Sequence, residues 1–127
     1  MEIIGIGSEI VECVRIGKMI EKHGELFLAR VFTDAESRGC QRRKNATERY
    51  AAQWAAKEAV LKALGIHSAK GMSHLGVEIR HKAGARARVI LTGAVKDHAQ
   101  RLGVADILVT LAHCRAYATA CALAVKG

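Results

Sequence analysis

Residues 45–65 read NATERYAAQWAAKEAVLKALG, and this stretch decides the fold. Its interior is rich in alanine, the best helix former, and holds neither proline nor glycine. Asn45 or Thr47 can cap its start, and Gly65 can end it in the left-handed conformation. Tyr50, Trp54, Leu61 and Leu64 recur at spacings of three, four and seven, which marks a buried stripe. A helix of this length needs a surface to lie on, and the flanking segments supply one.

Downstream, IHSAKGMSHLG (66–76) reads as a loop. VEIRHKAGARARVIL (77–91) reads as a hairpin turning at Lys82–Ala85. GAVKDHAQRLG (93–103) is a short amphipathic helix closed by Gly103, and residues 105–127 alternate as two strands reversing near His113–Arg115. Upstream, Glu2 to Ser8 reads as a strand and Val11 to His23 as a helix stopped by Gly24. Thr33-x-x-Glu36 is a capping-box signature opening another short helix. That helix runs into a basic turn with Arg38, Arg42, Arg43 and Lys44. No linker, repeat, low-complexity tract or proline interrupts the chain. The expectation is a single α+β domain over 1–127, one long helix packed on a small antiparallel sheet.

Composition narrows the class. With 127 residues, half of them hydrophobic, the chain has enough apolar surface for one core, which excludes general disorder. No apolar run approaches the roughly 20 residues of a membrane helix. The amino terminus has no basic segment of a signal peptide, so a cytoplasmic location is expected. Cys13, Cys40, Cys114 and Cys121 form no Cys-x-x-Cys pair, which argues for reduced thiols rather than a metal or redox site. The net charge of +8 favours an anionic partner. Nucleic acid is a poor candidate, because the chain has no helix-turn-helix, no zinc-ligand spacing and no aromatic-interleaved basic strand.

IIGIGSEIVECVRI (3–16) invites a nucleotide-binding reading through Gly5-x-Gly7. A dinucleotide fingerprint needs a third glycine where Ile10 stands, and no βαβ unit follows. The glycines are better read as allowing another segment or a ligand to approach the strand closely. On the long helix Glu58 and Lys62 sit four apart. By spacing alone they form a solvated ion pair worth a few tenths of a kcal/mol. In the sharper reading Glu58 meets Glu9 at a divalent cation and Lys62 neutralises a neighbouring phosphate, since Mg²⁺ takes one or two carboxylates plus phosphate oxygens. His113 is either a turn residue or a ligand or base. Arg15, Lys18, Met19 and Lys22 make either an ordinary helix face or a landing strip for an acidic helix, with Met19 as its apolar anchor.

Three segments resemble a known family. GIGSEIVECVRI (5–16) is similar to the amino-terminal motif of the holo-acyl-carrier-protein synthase family of phosphopantetheinyl transferases. WAAKEAVLKALG (54–65) resembles its second and most specific signature, and VTLAHCRAYATACAL (109–123) its carboxy-terminal strand–His–strand segment. Order, spacing and chain length also agree. The resemblance implies transfer of the 4'-phosphopantetheine arm of coenzyme A to a serine of an acidic apo acyl carrier protein. Adenosine 3',5'-bisphosphate is the other product, and active sites are shared between the subunits of a homotrimer. It further implies Glu9 and Glu58 as Mg²⁺ ligands, with Glu58 and Lys62 at the chemistry. Arg49, Gln53, Lys62, Gly65 and His113 fall at cofactor contacts, and Arg15, Met19 and Lys22 on the carrier-protein face. Basic residues around Arg42–Lys44 are either a 3'-phosphate contact or a plain solvated turn.

The chain departs from the family pattern in places. Glu9 stands where the family has aspartate, one methylene farther from the backbone, and Gln53 stands where arginine is usual. The loop after Gly65 lacks a Thr-Gly pair, and the hairpin turn lacks its usual proline. The substitutions at 9 and 53 leave a second expectation open: a catalytically impaired homologue that binds carrier protein or coenzyme A.

Overall fold

The computed structural model describes residues 2–67 and 72–127. Strand β1 (Glu2–Glu12) is followed by helices α1 (Cys13–His23), α2 (Glu25–Val31), α3 (Asp34–Gln41) and the long α4 (Ala46–Ala63). A short hairpin, β2 (Val77–Arg80) and β3 (Arg88–Leu91), leads to helix α5 (Gly93–Leu102) and then to β4 (Val104–His113) and β5 (Tyr117–Lys126). The main sheet is antiparallel in the order β1-β5-β4, and the hairpin forms a separate two-stranded sheet. The expected α+β class, with a long helix on a small antiparallel sheet, is what the chain adopts.

Small residues set how closely α4 lies on that sheet. Ala118, Ala120, Ala122 and Ala124 of β5 are 0–2% exposed, and Ala55, Ala56, Ala59 and Ala63 of α4 are 0–3% exposed. On β1 the fit is tighter still. A Cβ built on Gly5 would lie 1.9 Å from the Ala63 carbonyl oxygen, and one on Gly7 would lie 2.0 Å from that of Ala59. The opening Gly-x-Gly therefore admits the backbone of α4.

Three expectations are corrected. β1 runs four residues past Ser8, because Ser8 to Glu12 continue the ladder with Cys121 to Tyr117. The first helix therefore begins at Cys13 rather than Val11. Glu12 is its N-cap residue and not a member of its first turn, and its side chain makes no capping bond. Second, α4 is buried around most of its circumference rather than along one stripe, since Gln53 and Lys57 are enclosed as well (4% and 0% exposed). Trp54, placed on the stripe, is only half-buried. Third, helix α2 was not anticipated.

Other local signals hold. Thr33 and Glu36 form a reciprocal capping box. Asn45 is the N-cap of α4, but its Oδ1 accepts from Arg49 Nε (3.4 Å) rather than from the helix backbone. Gly65, at φ 73°, closes α4. There Ile66 N donates to Leu61 O (2.8 Å) and Gly65 N to Lys62 O (2.9 Å), the two bonds of a Schellman cap. The hairpin turns where expected, with Ala85 N donating to Lys82 O (3.0 Å). The loop expected at 66–76 falls partly on 68–71, outside the described residues; its last three residues form a 3₁₀ turn, His74–Gly76.

Lys57 is the charged group at the centre of the core. Its Nζ lies 2.7 Å from Glu36 Oε1 and donates to the carbonyls of His74 (2.9 Å) and Val77 (2.6 Å). Glu36 also accepts from Thr33 N and from Ile79 N, each at 2.8 Å. One buried ion pair thus ties α4, α3, the 3₁₀ turn and β2 together. Burial pulls the Lys57 ammonium below its ordinary range, and Glu36 opposes that pull.

Two outcomes follow from this packing. Gly7→Ala forces backbone away from backbone and is expected to cost roughly 3 kcal/mol, read as a lower urea midpoint at unchanged slope. Lys57→Met leaves Glu36 buried without its cation and is expected to cost roughly 3–5 kcal/mol. Adding Glu36→Leu should restore only part of that, because the Glu36 carboxylate also holds two backbone amides.

Candidate active site

Two groups of polar residues lie on opposite sides of α4. Arg49 and Glu58 are nine residues apart, which at 3.6 residues per turn turns them about 180° from one another. Gln53 and Lys62 stand in the same relation. Glu58 and Lys62, four apart, share one side; Arg49 and Gln53 share the other.

On the first side, Glu9 comes from the face of β1 that meets α4, the face of Gly5, Gly7 and Val11. Its Oε1 accepts from Lys62 Nζ at 3.2 Å, and Lys62 also donates to Ser8 O at 3.1 Å. The i,i+4 ion pair expected between Glu58 and Lys62 does not form. Glu58 Oε1 instead accepts from His74 Nε2 at 2.7 Å, and the His74 ring stacks on Trp54 with centroids 6.3 Å apart. The hydrogen bond from His74, helped by the charges of His74 and Lys62, holds the Glu58 carboxyl below its ordinary range against the opposing effect of burial. Glu58 is therefore ionised at neutral pH. The two carboxylates are about one-fifth (Glu9) and one-quarter (Glu58) exposed, and each is held by a basic side chain, Lys62 or His74. Their oxygen donors suit a hard cation. Among the described residues no group of three or more His, Cys, Asp or Glu assembles, so a cation here would need oxygen atoms from a ligand or from water. Gly65 lies exposed at the end of the same helix, with nothing among the described residues within 4 Å of a Cβ built on it.

On the other side lies an open cleft of about 1030 Å³ between α3, α4, the hairpin and the end of β4. Arg49, Gln53 and His113, expected at cofactor contacts, all line it. Arg38, Arg42 and Arg43 of the basic turn face Arg80, Lys82 and Arg86 of the hairpin across it. Lys44 instead borders a smaller, more open pocket with Arg115. The cleft's two carboxylates are already engaged, Glu36 by Lys57 and Glu78 by Arg80 Nε at 2.6 Å. Its free charge is therefore strongly positive, as an anion site requires. His113 Nδ1 is held by Glu48 Oε1 at 2.5 Å. Gln53 Nε2 donates to Ile79 O (3.2 Å), while its Oε1 meets His81 Nε2 (2.7 Å).

The residues expected at a carrier-protein face lie on α1. Arg15, Met19 and Lys22 are exposed and share one side of α1, with Met19, 40% exposed, at its edge beside buried Ile16.

Sequence reasoning missed His74, His81 and Glu48, the partners of Glu58, Gln53 and His113. No spacing rule links residues 16 to 65 positions apart. The hairpin's share of the cleft did leave a signal, since RHKAGARAR (80–88) is dense in basic residues.

The family profile of the 4'-phosphopantetheinyl transferase superfamily matches residues 5–122. A holo-[acyl-carrier-protein] synthase from Rhodopirellula baltica is 42% identical over 120 residues, covering 94% of this chain and 95% of that protein. The crystal structure of the holo-[acyl-carrier-protein] synthase from Neisseria meningitidis superposes with a TM-score of 0.88 at 26% identity, covering 98% of this chain and 99% of that one. That of the Bacillus anthracis synthase in complex with CoA (3',5'-ADP) superposes with a TM-score of 0.81 at 28% identity, over 100% of both chains. With its profile, its relatives and its fold in agreement along nearly the whole length, the chain belongs to the 4'-phosphopantetheinyl transferase superfamily.

Proposed function

We propose that this protein transfers the 4'-phosphopantetheine arm of coenzyme A to a serine of an apo acyl carrier protein, releasing adenosine 3',5'-bisphosphate. The observation that carries this reading is the 42% identity to a named holo-[acyl-carrier-protein] synthase over 94% of the chain. The geometry supports it at both ends of the co-substrate. The basic cleft suits the phosphorylated nucleotide that leaves, and the carboxylate side suits the pyrophosphate that is broken. The one-domain reading of 1–127 is part of the proposal.

The reaction makes a bond from the serine oxygen to the pantetheine-side phosphorus and breaks the bond from that phosphorus to the bridging oxygen. The serine proton must leave, and negative charge collects on the departing bisphosphate. Lys62 is suited to that charge: its side chain is 39% exposed and held at 3.1–3.2 Å, so it can turn from Glu9 to a phosphate. Glu9 and Glu58 are the residues that would hold Mg²⁺. When bound, the cation supplies positive charge to the pyrophosphate oxygens. The longer Glu9 side chain reaches across to Lys62. Glu58 is the candidate acceptor of the serine proton. The depressed proton affinity of its carboxylate keeps it in the acceptor form at neutral pH, and His74 orients it.

The two halves of the site face away from each other within one chain, which supports a site completed by a neighbouring subunit. The sheet face away from α4 supports the same reading. Its rows Ile6–Leu123–Leu108, Ser8–Cys121–Thr110 and Ile10–Thr119–Ala112 are largely apolar. Ile6 and Ile10 are 71% and 66% exposed in the single chain. An uncovered apolar sheet face marks an association surface, and a homotrimer is the assembly proposed. The exposed Arg15, Met19 and Lys22 are the proposed contacts for an acidic carrier protein.

Incubation with apo acyl carrier protein, coenzyme A and Mg²⁺ should add one phosphopantetheine group to the carrier, detected by intact-mass spectrometry. The absence of an adduct with every carrier tried would overturn the enzymatic reading. Glu58→Ala should lower kcat/KM by at least ~100-fold, while Glu9→Asp should retain or improve Mg²⁺-dependent turnover. Ile10→Lys should give monomers by light scattering, with unchanged far-UV circular dichroism and loss of transfer. Full activity in a monomer would refute the shared site.

A further inference from the structure

We propose that His81 is a proton-linked phosphate-recognition residue: clamped by Gln53 in the basic cleft, it gains a proton when a phosphomonoester enters. The cleft would then bind adenosine 3',5'-bisphosphate more weakly as pH rises through neutrality. The ligand identity rests on the transfer reading given above; the role of His81 rests on the cleft itself.

Gln53 sets the chemistry. Its side chain is buried, and its Nε2 is committed to Ile79 O at 3.2 Å, so the amide cannot turn round. Its Oε1, an acceptor, therefore faces His81 Nε2 at 2.7 Å, and that nitrogen must carry the hydrogen. In the neutral ring Nδ1 is then left as an acceptor, which suits an incoming phosphate poorly. A second proton can go only onto Nδ1, turning it into a charged donor for an anion.

The surroundings make that proton conditional on a ligand. His81 stays exposed at the cleft mouth, and partial burial, then the Arg49 guanidinium of α4, hold it below its ordinary value. Glu36 of α3 acts in the opposite sense, but its carboxylate is already committed to Lys57 and two backbone amides. On the hairpin, Glu78 is engaged by Arg80, while Lys82 and Arg86 add positive charge. From α3 and the turn after it, Arg38, Arg42 and Arg43 do the same. Cys40 is pushed up to about 12 by burial and remains a neutral thiol, and His113 at the end of β4 is tied to Glu48. An entering phosphate reverses this balance by placing negative charge among the cations. The free-state value is lowered and the bound-state value raised, so binding takes up a proton. Affinity is then highest below the free-state value, falls by up to about tenfold per pH unit between the two values, and is flat above the bound-state value.

The test is isothermal titration of the full chain with adenosine 3',5'-bisphosphate in EDTA between pH 6 and 8. It is repeated in Pipes and in imidazole, buffers of different ionisation enthalpy. The second ionisation of the phosphate itself acts in the opposite sense and is common to all variants, so the readout is the difference between proteins. The wild type should take up more protons than His81→Gln, and its affinity relative to that variant should fall several-fold across the range. His81→Lys, which carries a permanent charge, should restore tight binding at pH 8 without the slope. Identical pH profiles and proton uptake in wild type and His81→Gln would overturn the role of His81. Failure of the wild type to bind at any pH would instead overturn the coenzyme A reading of the cleft.

Discussion

Backbone contact between α4 and β1 at Gly5 and Gly7 is the constraint on which the rest of the structure depends. At these two positions no side chain can stand between the elements, because an added Cβ would meet the Ala59 or Ala63 carbonyl oxygen at about 2 Å. The alanines of β5 extend the same close approach across the sheet. The consequence for chemistry is immediate. Two residues beyond Gly7 on the same face, Glu9 arrives beside Lys62, one helical turn past Glu58. A wider helix–sheet gap would carry the β1 carboxylate out of reach of the helix. The extra methylene of Glu9 does not break this arrangement, since the side chain still reaches Lys62 while its own strand remains in register with Ala120.

The opposite side of α4 is organised by buried polar groups rather than by small ones. Lys57 and Gln53 both reach β2, one through the Val77 carbonyl and the other through that of Ile79. The Glu36 carboxylate accepts from Ile79 N. Fully satisfied networks of this kind cost desolvation, yet they specify a single docking of the hairpin that apolar packing alone would leave adjustable. That docking decides where Arg80, Lys82 and Arg86 stand relative to Arg49, and hence the shape of the cleft. Stability and ligand recognition meet in the same contacts here, because Gln53 holds the hairpin backbone with one atom and His81 with the other.

Local signals were legible in the sequence wherever the cause was local. The Thr33–Glu36 box, the Gly65 stop, the Lys82–Ala85 turn and the reversal after His113 each depend on a few adjacent residues. Lys57 also carries a signal in its position. At 50, 54, 57, 61 and 64 it lies on the spacing of the stripe, so a charge there needed a buried partner. The strand end was hidden, because whether β1 stops at Ser8 or Glu12 depends on pairing with β5 more than a hundred residues away. The ion pair that spacing alone suggests for Glu58 and Lys62 fails to form for the same reason. Each found a stronger partner in a distant segment, His74 and Glu9, which outweighs an exposed i,i+4 attraction of a few tenths of a kcal/mol.

A helix enclosed on nearly all sides offers chemistry only at its rims, and α4 uses two of them. With a half-turn between Arg49 and Glu58, no bend of the chain can bring the anion cleft and the carboxylates together within one protomer. A ligand that puts its nucleotide phosphates in the cleft and its pyrophosphate at the carboxylates would have to run around the helix or bridge two copies of it. The apolar rows on the outer face of the sheet favour the bridge, since burying them removes the exposed Ile6 and Ile10 from water at about 25 cal/mol per Å². In the proposed assembly oligomerisation would be part of the active-site geometry: a chain of 127 residues would lend each of its two polar rims to a different neighbour and so share a larger composite pocket.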